Sequence, residues 1–320
     1  MDTMILIWSG LILYILLLLF FDLFVLHKND ELSNKKTARE TAFWISIALA
    51  QSGLIYLMYS NEWVDNPTDL TPKNAVLKYI TGYLVELSLS VDNLFVIAMI
   101  FKSYKIPVKY QHKALFWGIV GAIFFRGLMI AVGVVLFNKL SWIPYVFGVF
   151  LIITAIKMLM DELKKKPIED EENLREGFAK RFMKKNLNFS SELDGNKFFT
   201  IQNGKKVATP LFAALILIEL TDVMFAVDSI PAILAITQDA LIVFMATIFA
   251  TLGLRSMYFF LANMIEKFHY LKFSVFAILL YIGIKLILMH HVEIPEFLSL
   301  IVILVSLTTG ILVSLKHRND

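Results

Sequence analysis

The chain of 320 residues contains no cysteine, which excludes disulfides, thiolate metal sites and cysteine catalysis. It is short of charge: 18% of its residues are Asp, Glu, Lys or Arg, where a soluble domain carries about 25%. Hydrophobic residues reach 58% against the usual roughly 45–50%, and the mean hydropathy is +0.69. A soluble enzyme is therefore excluded, and an enzyme of any kind is not expected. The sequence has no Gly-x-Gly-Asp motif, which argues against an intramembrane aspartyl protease despite the paired aspartates described below. The first apolar run lacks a basic leader and a small-residue cleavage site, so it is expected to stay as a helix. Nothing points to nucleic acid, because basic loops beside apolar runs are the ordinary topology signal of a membrane protein.

What the chain does have is long apolar runs. They fall at Met4–Leu26, Ala42–Tyr59, Ala75–Phe101, Lys113–Phe137, Trp142–Met160, Pro210–Ile236, Ala240–Ile265, Lys272–Met289 and Phe297–Leu315. Each is long enough to cross a hydrocarbon core of about 30 Å. The fold class predicted is an all-α polytopic membrane protein of about nine transmembrane helices. Basic residues segregate strongly, with 23 in one set of loops and only Lys73 and Lys139 in the other. This predicts the N-terminus outside and the C-terminus in the cytoplasm. The expected organisation is two N-terminal helices over 1–74, a first membrane repeat over 75–160 and a cytoplasmic loop over 161–209. A second repeat over 210–291 and a last helix with its tail over 292–320 complete the chain. Within the loop, Phe198–Ile201 and Lys205–Ala208 flank Asn203-Gly204, which predicts a small hairpin.

The repeat rests on particular residues. Val85-Glu86-Leu87-Ser88-Leu89-Ser90-Val91-Asp92-Asn93-Leu94 parallels Thr221-Asp222-Val223-Met224-Phe225-Ala226-Val227-Asp228-Ser229-Ile230. Phe125-Arg126-Gly127 parallels Leu254-Arg255-Ser256, and Ile156-Lys157-Met158 parallels Ile284-Lys285-Leu286. Spans three to five thus recur as six to eight. An odd number of spans per unit inverts the second copy, a signature of secondary transporters with a midplane site.

Glu86, Asp92, Glu219, Asp222 and Asp228 fall well inside apolar runs, as do Arg126, Lys157, Arg255 and Lys285. Each costs about 2.5–3.5 kcal/mol on insertion scales, so they should face the bundle interior. The cations are expected to compensate the acids, and mutual ion pairing that merely holds helices together competes with an ion pathway. Helical spacing puts Glu86, Ser90 and Asn93 on one face and Asp92 about 120° away. The same holds for Asp222, Ala226 and Ser229 against Asp228. Pro231 removes an amide partner from the Val227 carbonyl, which predicts a break near Asp228. Carboxylates, Asn93 and Ser229 form a hard donor set suited to Mn²⁺, Mg²⁺ or Ca²⁺. Ser88, Ser90, the Val227 carbonyl and the Met224 thioether are secondary candidates, with packing the competing role for Met224.

At these residues the sequence resembles the TerC family of integral membrane proteins, in particular its Alx-like branch. The likeness runs through Thr81–Asn93, Glu219–Ala232, Phe198-Phe199, Thr209-Pro210-Leu211 and Leu252–Phe259, and it extends over nearly the whole chain. The resemblance implies export of Mn²⁺ across a bacterial inner membrane, with Glu86, Asp92, Glu219, Asp222 and Asp228 as the motif acids. It also implies, for some members, metal supply to exported enzymes or a link to tellurite resistance. The expected cargo is Mn²⁺, with protons as coupling ion, because closely spaced carboxylates in an empty site should hold protons. The competing expectation is a non-transporting membrane partner in a stress or secretion complex. No resident cofactor is expected.

Overall fold

A computed structural model describes residues 2–22, 34–66, 69–163, 190, 192–202, 204–262, 271–289, 291–292 and 294–316. The chain is mostly helical. Its helices are α1 (Asp2–Phe21), α2 (Asn34–Ser60), α3 (Pro72–Ser103), α4 (Val108–Lys139), α5 (Ile143–Leu163), α6 (Pro210–Leu234), α7 (Ala240–Leu252), α8 (Leu254–Ala262), α9 (Leu271–Leu288) and α10 (Glu296–Lys316). Strands β1 (Phe199–Gln202) and β2 (Lys205–Ala208) lie between α5 and α6.

Local chemistry fixes the ends. Thr71 accepts from the Asn74 amide at 3.3 Å, and Pro72 opens α3 without wasting an amide. The Asp239 carboxylate caps α7 by accepting from the Leu241 and Ile242 amides at 3.0 and 3.3 Å. Its other oxygen accepts from the Tyr59 hydroxyl at 2.6 Å, tying α2 to the same point. The expected hairpin is present: β1 and β2 are antiparallel with Gln202 opposite Lys205, and Gly204 takes the positive φ of +72° that this tight turn needs. Beside it, hydrogen bonds from Lys197 and Thr200 hold the exposed Asp194 carboxyl below the usual carboxylate range.

Seven described helices or helix pairs are long and apolar enough to cross a membrane, falling within α1, α2, α4, α5, α6, the joined α7 and α8, and α10. The expected run Ala240–Ile265 is not one continuous helix: it breaks at Gly253, which ends α7 and packs against Trp44 of α2. The predicted break at Asp228 is absent, for α6 runs unbroken from Pro210 to Leu234. Pro231 sits in the last turn of that helix, where it withholds only the amide that would bond the Val227 carbonyl, and the chain stays hydrogen-bonded past it, the Ala235 amide donating to the Pro231 carbonyl at 3.0 Å.

The most extensive helix contacts are α5 with α9, α4 with α6 and α3 with α7. Bare glycine backbone permits the first of these, since a Cβ on Gly148 would stand 2.8 Å from the Gly283 carbonyl. Helix α3 sits at the hub, touching α2, α6, α7, α8, α9 and α10. That position explains why its polar residues are buried rather than facing lipid.

Candidate functional site: a buried ionic cluster between α3, α4 and α6

The centre of the site is Arg126, fully buried in the middle of α4. Its guanidinium forks onto Asp222 of α6, with Nε donating to Oδ2 at 3.0 Å and Nη2 to Oδ1 at 2.7 Å. Its Nη1 pairs with Glu86 of α3. One cation therefore joins the matching acids of the two sequence copies, and all three residues are buried. The planar fork suits this bidentate grip in a way that an ammonium would not.

On the two helices that carry Glu86 and Asp222, five buried oxygens have no hydrogen-bond partner: Glu86 Oε2, Ser90 Oγ and Asn93 Oδ1 of α3, and Glu219 Oε2 and Ser229 Oγ of α6. Ser90, Asn93 and Ser229 are all buried. Unpaired buried polar atoms cost about 1–3 kcal/mol each, so these five on α3 and α6 are available to a water or an ion. Glu219 occupies space that only glycine leaves open, because a Cβ on Gly121 of α4 would overlap its carboxylate. A cavity of about 30 Å³ opens beside Asp222; its lining is mostly apolar, with Ile119, Ala122 and Phe225 among it, and Asn93, Thr221 and Arg255 are its other polar residues. It has room for a water-sized guest.

Other residues singled out by sequence are placed differently. Asp228 is half-buried at the edge of this region, and the Asp92 side chain lies outside what the structure describes. The Ser88 hydroxyl donates to the Val85 carbonyl at 2.6 Å, which engages it within its own helix. Met224 and Val227 share an exposed stripe of α6 with Leu220, so the Met224 thioether and the Val227 side chain face outward. Met224 is thus no donor to the site in this arrangement, as its i, i+4 spacing from Leu220 on a lipid-facing stripe explains.

Three of the four expected counter-charges are engaged elsewhere or lie at the surface. Arg255 of α8, the repeat equivalent of Arg126, pairs with Asp22 at the end of α1, at 2.5 Å, and donates to the Asp22 carbonyl at 2.8 Å. Lys285 of α9 donates to Glu296 and to Ser299 of α10, each at 3.0 Å. Lys78 shares Glu296 at 3.3 Å. Lys157 is exposed. Arg126 compensates two of the motif acids, Glu86 and Asp222, as expected. Among the described residues, no three carboxylates or imidazoles gather closely enough to hold a metal by themselves. Asp22 was not singled out from the sequence; the available signal was a lone acid inside the run Met4–Leu26.

These features define a polytopic helical membrane protein with a charged, partly unsatisfied interior. Residues 71–320 match the Integral membrane protein TerC family, and the chain belongs to that family. It is 42% identical over 314 residues to an uncharacterized membrane protein, STKORF319, of Myxococcus xanthus, covering 98% of this chain and 93% of that one. It is 41% identical to an uncharacterized membrane protein of Rickettsia bellii, covering 97% and 98%. It is 36% identical to Alx of Escherichia coli K12, named for a proposed role as a membrane-bound redox modulator, covering 98% and 96%. No solved structure matches the chain.

Proposed function

We propose that the protein is a secondary transporter that exports Mn²⁺ from the cytoplasm in exchange for protons. The observation that carries this reading is the buried meeting of Glu86, Asp222 and Arg126, with unpaired hard oxygens of Asn93, Glu219 and Ser229 on α3 and α6. Three carboxylates (Glu86, Glu219 and Asp222) against one guanidinium leave a formal −2 when all are ionised. That charge matches a divalent cation, and in the absence of metal it is matched by protons. Oxygen donors favour Mn²⁺, Mg²⁺ or Ca²⁺ over soft ions, and the small cavity requires the cation to shed most of its water. In this reading Arg126 must yield at least one Asp222 oxygen for the metal to bind.

The family's inverted repeat, with nine spans, is part of the same reading. The contacts support it: α3 packs on α7 as α4 packs on α6, and α5 packs on α9. These are the pairings that exchanging spans three to five with six to eight would produce. The basic loops support an inner-membrane topology with the N-terminus outside and the C-terminus in the cytoplasm. An inside-negative potential opposes cation exit, which favours proton coupling over uniport. A redox role of the kind in the name of the Escherichia coli relative would need a route other than thiols, since this chain has none. A non-transporting role in a membrane complex is the alternative.

Proteoliposomes decide between them. An imposed pH gradient should drive Mn²⁺ uphill, and Asp92→Asn or Asp228→Asn should abolish the flux. Uphill flux indifferent to the pH gradient removes the coupling, and absence of any flux favours the non-transporting partner.

A further inference from the structure

Arg126 and Arg255 hold matching positions in the two sequence copies, but their partners differ. Arg126 grips the motif acids Glu86 and Asp222, whereas Arg255 is drawn to Asp22 on α1. Asp22 belongs to neither copy and lies outside the 71–320 segment matched by the family. Both members of this second pair are almost completely buried, at 2% and 1% exposure. Arg255 nevertheless lines the same cavity as Asp222 and Asn93. It therefore stands with Asp22 on one side and the candidate cation site on the other.

We propose that Asp22 sets the cation affinity of the cavity: by holding the Arg255 guanidinium, it keeps a second positive charge away from Asp222 and Asn93. This rests on the reading of the cavity as a cation site and adds a positioning residue from the N-terminal helix. The physical basis is charge. A guanidinium balanced by an adjoining carboxylate presents little net field to a divalent cation in the cavity, whereas an unbalanced one beside Asp222 repels it strongly in a medium of low dielectric. Glu40 on α2 contributes a further negative charge acting on Arg255, so it backs up Asp22 from the same side. The N-terminal helices would thus act as a fixed counter-charge for the arginine of the second repeat.

The naturally cysteine-free chain allows a test with two readouts. Equilibrium Mn²⁺ binding to the full-length protein in nanodiscs should weaken at least about tenfold in Asp22→Asn, and more when Glu40→Gln is added. It should return toward the starting affinity in Asp22→Asn/Arg255→Gln, and Asp22→Glu should behave as the parent. A merely structural pair would also recover in the double variant, because removing both partners leaves no buried charge unpaired, so the second readout separates the two. The second readout needs no metal. A cysteine at Ala122, which lines the cavity, is reacted with anionic and cationic methanethiosulfonates, and the anionic-to-cationic rate ratio should rise in Asp22→Asn and fall back in the double variant. An unchanged ratio, a reagent that never reaches the thiol, or an Asp22→Asn affinity not recovered by Arg255→Gln overturns the proposal. A shifted and recovered ratio in a protein that binds no Mn²⁺ upholds charge control by Asp22 and overturns the manganese reading alone.

Discussion

A single guanidinium carries most of the electrostatic balance at the centre of the molecule. Removing it in Arg126→Ala leaves Glu86 and Asp222 buried without a counter-charge, a change that costs about 3–5 kcal/mol in comparable buried pairs. Thermal unfolding of the detergent-solubilised protein should show a large downward shift, and Arg126→Lys should recover only part of it because an ammonium cannot fork onto Asp222. Gly121 makes a sharper test of the neighbouring acid. A Cβ there would overlap the Glu219 carboxylate, so Gly121→Ala must push Glu219 aside. Lowered thermal stability in Gly121→Ala, relieved in Gly121→Ala/Glu219→Ala, is the expected result; equal stability of Gly121→Ala and the parent would show that Glu219 moves freely.

At the scale of elements, the joint between α7 and α8 stands out. Gly253 has ordinary helical torsion, and an added Cβ would meet Trp44 at 3.5 Å, which is normal contact. Gly253→Ala should therefore be tolerated and should stabilise by about 0.4–1 kcal/mol through the unfolded chain. The same substitution stiffens the joint that presents Arg255 to Asp22 and the cavity. If the joint bends during turnover, Gly253→Ala will raise the melting temperature while slowing Mn²⁺ flux. A variant with unchanged flux would show that the break is only a static adjustment to Trp44. Pro231 offers the contrast. It sits in the last turn of α6, and the helix continues through Asp222 and Asp228 to Leu234 without interruption.

For the whole molecule, the proposed orientation in the bilayer rests on the distribution of basic loops. The hairpin of β1 and β2 is the convenient reporter, because Lys205 and Lys206 are exposed. A cysteine at Lys205 should react with membrane-impermeant maleimide only after the cells are opened. Labelling in intact cells would reverse the topology and, with it, the direction of export. The bundle also explains how so many charges are accommodated: they are divided among separate partners rather than pooled. Arg126 serves α3 and α6, Asp22 serves Arg255, and Glu296 serves Lys78 and Lys285. Each grouping lies between helices, where the exposed apolar faces of α1, α4, α5 and α10 shield it.

What sequence alone determined follows from local physics. Apolar runs of membrane length must be helices, since no other unclosed structure satisfies its backbone in lipid. The hairpin was legible from Asn203-Gly204, because that turn demands a residue tolerant of positive φ. Acids within apolar runs had to face inward, and Glu86, Ser90 and Asn93 do lie buried on one face of α3 as helical spacing requires. Family membership was legible from the two acidic motifs. Partner choice was not. Nothing in the spacing of Arg126 and Arg255 distinguishes them, yet one meets Glu86 and Asp222 and the other meets Asp22, more than 200 residues away along the chain. Nor could sequence tell that Met224 faces outward, that α6 runs unbroken through Pro231 or that Gly253 divides α7 from α8. Ion pairing and helix bending depend on which side chains arrive within a few ångströms of one another. That is decided by how the ten described helices pack, not by the periodicity of any one of them.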